Sequence, residues 1–183
     1  LGPSLGVTEF LVEKLEIWKE EKDGRSFQIL PCLHSYDDKK LADALTSETI
    51  RVIEDEGLEC PHIAMVDHGT PIIEVNRVRE DVGKSLEKMI KAKVSGFATC
   101  SMERRDGDEY NFNEPLLEAV LDEWGNAGVR EIVISLLFLL SGRHAGKGGD
   151  LEDIFDKAKS KFPGMKISST QPLGGNLLVH KIL

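Results

Sequence analysis

Ten consecutive residues, Glu131–Leu140, contain eight large apolar side chains and one interior polar break, Ser135. A strand has this composition when helices cover both of its faces, as in the middle of a parallel sheet. The run is far short of the roughly 18 apolar residues needed to span a membrane. It stops at Ser141-Gly142-Arg143-His144-Ala145-Gly146-Lys147-Gly148-Gly149-Asp150, a polar, glycine-rich loop. Leu151–Phe162 then has helical spacing, with Glu152 and Asp153 at its start and Lys157, Lys159 and Lys161 towards its end. That polarity suits the helix dipole.

The same alternation runs through the rest of the chain. Leu41–Ile53, Val75–Ile90 and Pro115–Trp124 carry helical periods. His62–Val66, Val94–Cys100 and Met165–Ser169 read as strands. Strands alternating with helices predict an α/β fold with a four-stranded parallel sheet and flanking helices. Phe10–Trp18 and Phe27–Leu33 predict one further helix and strand near the start.

These two early elements match a later pair. Shifted by 106 residues without gaps, Phe10, Leu11, Leu15 and Trp18 fall on Leu116, Leu117, Leu121 and Trp124, and Leu30, Leu33 and Ser35 fall on Leu136, Leu139 and Ser141. Residues 1–57 are therefore expected to be the second half of one repeat, and residues 61–183 a complete copy. The position matching His144 is Asp38.

Composition narrows the function. With 23 basic and 32 acidic residues the net charge is −9, which argues against a nucleic-acid-binding face. No apolar stretch suggests a membrane segment. The three cysteines, Cys32, Cys60 and Cys100, form no CxxC pair, as expected for a reducing compartment. That compartment is the cytoplasm, or an organelle stroma if the chain is processed.

Two loops carry candidate chemistry. Asp67-His68-Gly69-Thr70 follows the strand His62–Val66, and the His144 loop follows the long apolar strand. Sites in open parallel sheets form at the carboxyl ends of the strands, so His68 and His144 are expected to converge. Imidazole is the commonest metal ligand and suits iron, cobalt, nickel and zinc. Glu103, after Val94–Cys100, is the natural third group. Taken singly, each histidine reads more readily as a surface or loop-stabilising residue; only the joint placement of His68, Glu103 and His144 after three strands makes the metal reading its equal. The glycine-rich loop is not a P-loop: the spacing from Gly142 to Gly146-Lys147 is one residue short, and Gly148 stands where Ser or Thr would hold magnesium. Its glycines would let backbone approach a large ligand. Arg143-His144 resembles the Arg-His-Gly of histidine phosphatases, but it follows a late strand and is succeeded by Ala145.

Asp67-His68-Gly69-Thr70 with Glu74 and Asn76 resembles the opening of the class II sirohydrochlorin chelatases, where the first strand ends in His-Gly-Ser. Phe138-Leu139-Leu140-Ser141-Gly142-Arg143-His144, with Asp153-Ile154 downstream, is similar to that family's Phe-Leu-x-x-Gly-x-His loop and its Asp-Ile helix. Pro172-Leu173-Gly174 resembles the Pro-Leu-Gly after its last strand. The resemblance covers residues 62–183. It implies insertion of a divalent metal substrate, Co²⁺ or Fe²⁺, into sirohydrochlorin or a related tetrapyrrole, with no organic cofactor and no membrane or nucleic-acid partner. It also implies that His68, His144 and Glu103 are the metal-binding and catalytic residues. Gly69, Thr70, Gly142, Arg143 and Lys147 are the weaker substrate-binding candidates, and Arg77, Arg104 and Arg105 are further cations for the substrate's carboxylates. Pro71 stands where the family usually has Arg, and extra glycines precede Asp153. The alternative is a non-catalytic metal- or tetrapyrrole-binding module; a homo-oligomer is compatible with both.

Overall fold

A computed structural model describes residues 38–180. The helix and strand expected around Trp18 and over Phe27–Leu33 lie outside the described residues. Helix α1 spans Asp38–Asp55, and β1 (His62–Asp67) leads to α2 (Ile73–Ile90). Strand β2 (Gly96–Ser101) is followed by a 3₁₀ turn, Asp108–Asn113, and by α3 (Leu117–Asn126). Strand β3 (Glu131–Leu136), α4 (Asp150–Lys161) and β4 (Lys166–Ser169) complete the main elements, and the short α5 (Leu177–His180) closes the described chain.

The four strands form one all-parallel sheet in the order β2-β1-β3-β4. The chain steps from β1 to β2 on one side, then crosses to β3 on the other. The order therefore reverses at β1, and a crevice opens between the carboxyl ends of β1 and β3, where ligands bind in such sheets. The α/β class with a four-stranded parallel sheet flanked by helices is as the sequence predicts.

Alternation along the strands builds two apolar layers. Ile63 and Met65 of β1 and Val133 of β3 face Leu41, Leu45 and Ile53 of α1 and Val82, Leu86 and Ile90 of α2. Ala64 and Val66, with Ile132 and Ile134, face Leu117, Val120 and Leu121 of α3 and Leu151, Ile154 and Ala158 of α4. Helix α1 thus packs into the same core as the sheet. Under the 106-residue offset it falls on 144–161, of which Asp150–Lys161 is helical.

Ser135, the polar break in the apolar run, is fully buried and accepts a 2.9 Å hydrogen bond from the Thr49 hydroxyl of α1. The break is therefore a paired polar contact between helix and sheet.

Strand β3 is shorter than its apolar run. It ends at Leu136, because its neighbour β1 ends and Leu137 makes the last bond, donating to the Val66 carbonyl at 2.9 Å. Leu137 and Phe138 stay buried, whereas Leu140 is 72% exposed. The apolar character continues past the strand because these residues wall a cavity. The helix expected from Pro115 begins instead at Leu117, with Glu114 accepting from the Leu116 amide at 3.0 Å.

Candidate active site

The chain leaves β1 through Asp67 into a turn that only glycine permits. Gly69 has φ +95°, and a Cβ there would lie 1.9 Å from the Glu103 carbonyl oxygen. That close approach locks the His68 loop to the residues after β2: Met102 donates to the Asp67 carbonyl at 2.8 Å and Glu103 to the His68 carbonyl at 3.2 Å. Thr70 is clamped at two points, its amide donating to Asn113 Oδ1 and its carbonyl accepting from Asn113 Nδ2, both at 2.9 Å. Its hydroxyl accepts from the Ile72 amide at 3.1 Å as α2 begins.

Beneath this turn lies a buried polar network. Asp67 Oδ1 accepts from the Ser101 hydroxyl at 2.7 Å and the Gly69 amide at 3.1 Å. Arg79 of α2, with a side chain 2% exposed, donates to Ser101 and to the Asn113 carbonyl, pairs with Glu80 at 2.8 Å and stands 3.8 Å from Asp67. Burial pushes the Asp67 carboxyl above its usual range; the Ser101 hydroxyl, the Arg79 charge and the Gly69 amide oppose that rise. Burial also pushes the Cys100 thiol far up, so it remains an inert thiol in the core.

Above the network the two histidines meet. His68 Nε2 and His144 Nε2 are 3.0 Å apart, with ring centroids 4.4 Å apart and the rings inclined at 72°. Glu103 Oε1 is 3.4 Å from His68 Nε2. Residues from the ends of β1, β2 and β3 thus come together at the switch point of the sheet. Two imidazole nitrogens on one tetrahedral metal ion, each about 2.0–2.1 Å from it, would stand about 3.4 Å apart. The observed pair is slightly closer, as two rings sharing a proton would be. Among the described residues no three His, Cys, Asp or Glu side chains form an arrangement ready to enclose a metal ion.

His144 has a second partner. Its Nδ1 lies 2.5 Å from Asp150 Oδ2, at the start of α4. His68 Nδ1 has, among the described residues, only the Gly69 carbonyl, at 3.4 Å.

A cavity of about 310 Å³ opens beside His68, lined by Gly69, Thr70 and Val75 on one side and by Leu137–Leu140 on the other. A larger one, about 700 Å³, lies between Arg51, Gln171 and Leu177 and shares Leu139 and Leu140 with the first. Both are within the usual size of small-molecule sites. His68 lines the smaller; none of the three candidate ligands lines the larger.

The cation candidates separate into groups. Arg143 is exposed on the His144 loop, with Nε 4.0 Å from Asp150, and Lys147 is exposed on the same loop. Gly142, with φ +50°, turns this loop into open space. Arg77 is exposed on α2. Arg104 is held by Glu114 at 2.7 Å, and Arg105 lies over the Tyr110 ring at 5.9 Å. Asn76 is buried on α2, and its Nδ2 has no hydrogen-bond partner among the described residues. Sequence reasoning left Asn113, Arg79 and Asp150 without roles. No local pattern marks Arg79 or Asn113, since their partners are up to 43 residues away.

The sequence matches the CbiX family over residues 62–183. The chain belongs to the CbiX family. CbiX proteins are class II chelatases resembling the sirohydrochlorin cobaltochelatases, and their chemistry is the insertion of a divalent metal into a tetrapyrrole. The CbiX match covers all four strands and both histidine loops. Among curated proteins none matches this chain significantly. No helix among the described residues is long and apolar enough to cross a membrane.

Proposed function

We propose that this CbiX protein inserts Co²⁺ or Fe²⁺ into sirohydrochlorin or a closely related tetrapyrrole. The observation that carries the reading is the 3.0 Å approach of His68 and His144 across the switch point of the sheet, with Glu103 3.4 Å from His68. Metal insertion exchanges two pyrrole N–H protons for one divalent ion. Imidazole can both ligate a metal and accept a proton near neutral pH. In this reading His68 and His144 present the ion and take up the protons, and the Glu103 carboxylate balances the ion's charge. Two nitrogens and one carboxylate, with His68 beside the cavity, suit a metal that must be released, in contrast to the closed four-ligand cage of a structural site.

The macrocycle would lie against the apolar wall Leu137–Leu140. Its carboxylates would meet Arg143 and Lys147 of the exposed loop and Arg77 of α2, with backbone at Gly69, Thr70 and Gly142 able to approach closely. Arg104 and Arg105 are the weaker candidates, being engaged by Glu114 and Tyr110. The same proposal keeps residues 1–57 as the second half of a preceding repeat, on the ungapped 106-residue correspondence. It places the protein in a reducing compartment, the cytoplasm or an organelle stroma, in keeping with an odd number of cysteines without CxxC spacing.

A second reading is a non-catalytic metal- or tetrapyrrole-binding module. It is favoured by Pro71, which stands where the family usually supplies Arg, and by the lack of a three-ligand enclosure among the described residues. The experiment that separates the two is turnover. Purified protein is mixed with Co²⁺ or Fe²⁺ and sirohydrochlorin, and the macrocycle's absorbance is followed. A metal-dependent spectral change at catalytic protein concentration supports the chelatase; stoichiometric binding alone supports the module.

A further inference from the structure

The two histidines are not equivalent. On one side of the His144 ring, Nε2 faces His68; on the other, Nδ1 lies 2.5 Å from Asp150 Oδ2. A carboxylate can only accept, so the proton of a neutral His144 ring belongs on Nδ1. That leaves Nε2 as a bare acceptor aimed at His68, and His68 Nε2–H must donate across the 3.0 Å contact. His68 has no comparable anchor, because its Nδ1 is 3.4 Å from a backbone carbonyl.

The loop is built to bring Asp150 back to His144. Leu151 donates to the His144 carbonyl at 3.1 Å, Gly149 to the Gly146 carbonyl at 3.0 Å, and Gly148 to Glu152 Oε2 at 2.7 Å. A Cβ at Gly149 would meet the carbonyl oxygens of Arg143, His144 and Gly146 at 2.5, 2.6 and 2.8 Å. Only a glycine permits so tight a closure, and the next residue is Asp150. The carboxylate that the sequence pattern singles out is a different one: Asp153, exposed three residues further along the first turn of α4.

We propose that Asp150 is the positioning residue of the histidine pair, holding His144 as the Nδ1–H tautomer so that Nε2 keeps its lone pair towards His68. This rests on the chelatase reading for its functional consequence: His144 is the fixed ligand, and His68, whose Nδ1 lacks a carboxylate partner among the described residues, is the ring that reorients as metal arrives. Carboxylates that orient a ligating histidine in this way typically contribute 10–100-fold in metal affinity.

Two measurements on the full chain test it. Long-range ¹H–¹⁵N spectra, with His144 assigned by His144→Gln, read the tautomer at a pH where the ring is neutral. Titration with Co²⁺ alone reads metal affinity. The unmutated protein should show His144 protonated at Nδ1. Asp150→Ala should shift it to the Nε2–H form and lower Co²⁺ affinity 10–100-fold. Asp150→Asn preserves shape and gives a decision if the alanine variant does not fold. Its amide can accept from or donate to Nδ1, so a tautomer mixture and a smaller affinity loss are expected. Asp153→Asn, with the same charge change in the same helical turn, should alter neither readout. The proposal is overturned if His144 is already Nε2–H in the unmutated protein. It is also overturned if the Asp150 variants leave the tautomer unchanged, or if Asp153→Asn weakens Co²⁺ binding as much as Asp150→Ala. Failure of the unmutated protein to bind either Co²⁺ or Fe²⁺ would sink the chelatase reading, and the tautomer spectra would still decide the role of Asp150.

Discussion

A Cβ on Gly69 would sit 1.9 Å from the carbonyl oxygen of Glu103, so the turn after β1 and the turn after β2 are pressed together at a point with no room for a side chain. Gly69 also holds φ +95°. Gly69→Ala therefore suffers both a left-handed backbone and a backbone collision. Backbone strain of this kind costs of order 1–3 kcal/mol, and the collision adds to it. The expected result is a lower urea midpoint and a displaced His68–Glu103 pair. An alanine variant with unchanged stability and turnover would show that the two turns are free to separate.

Thr49 and Ser135 should behave as a coupled pair. Both are fully buried and bonded to each other at 2.9 Å. Ser135→Ala strands the Thr49 hydroxyl, and leaving a buried polar group unpaired costs about 1–3 kcal/mol. Thr49→Val with Ser135→Ala removes both partners and should recover much of that loss. A double-mutant cycle in urea checks this, and additive single effects would contradict it.

Arg79 is the hub under the His68 turn. Removing one partner of a buried ion pair costs about 3–5 kcal/mol, because the other charge is left uncompensated. Arg79→Met should therefore destabilise strongly and let the Asp67 carboxyl rise further, since the guanidinium is one of the groups opposing its burial. Arg79→Met with Asp67→Asn should be less destabilised than Arg79→Met alone, as measured by equilibrium denaturation.

The sheet was legible because its signal is local. The central strands β1 and β3 are covered on both faces and carry short apolar runs, while α1, α2 and α4 show helical periods. The end of β3 was not legible: Leu137–Leu140 have the same composition whether they pair in a sheet or wall a cavity. The meeting of His68, His144 and Glu103 could be expected because each lies in a loop that follows a strand, and parallel strands bring those loops to one end of the sheet. Asp150 is in the loop already noted, but which of Asp150 and Asp153 reaches His144 depends on how tightly the glycines fold back. Arg104 looked available as a free cation, and only its pairing with Glu114 shows otherwise.

His62 gives an acid-side prediction. Its ring packs against Trp124 at 5.1 Å and over Gly96, and burial lowers its pKa. With the folded value below the unfolded one, the neutral ring's contribution is complete above about pH 6.5. It is lost as pH falls through the folded value. An NMR titration should place His62 below the ordinary histidine range, and His62→Gln should flatten the fall in melting temperature below that pH. A normal titration for His62 would contradict this.

The central claim is that the facing imidazoles of His68 and His144 carry metal insertion. The most direct measurement is the initial rate of Co²⁺- or Fe²⁺-dependent absorbance change of sirohydrochlorin for the unmutated chain, His68→Ala, His144→Ala and the double variant, each verified as folded by circular dichroism. Loss of positioned acid–base help typically slows a reaction 10²–10⁴-fold. The account predicts a loss of at least that order in each single variant, with the double variant no faster than either. Full activity in the folded His68→Ala/His144→Ala protein would contradict it.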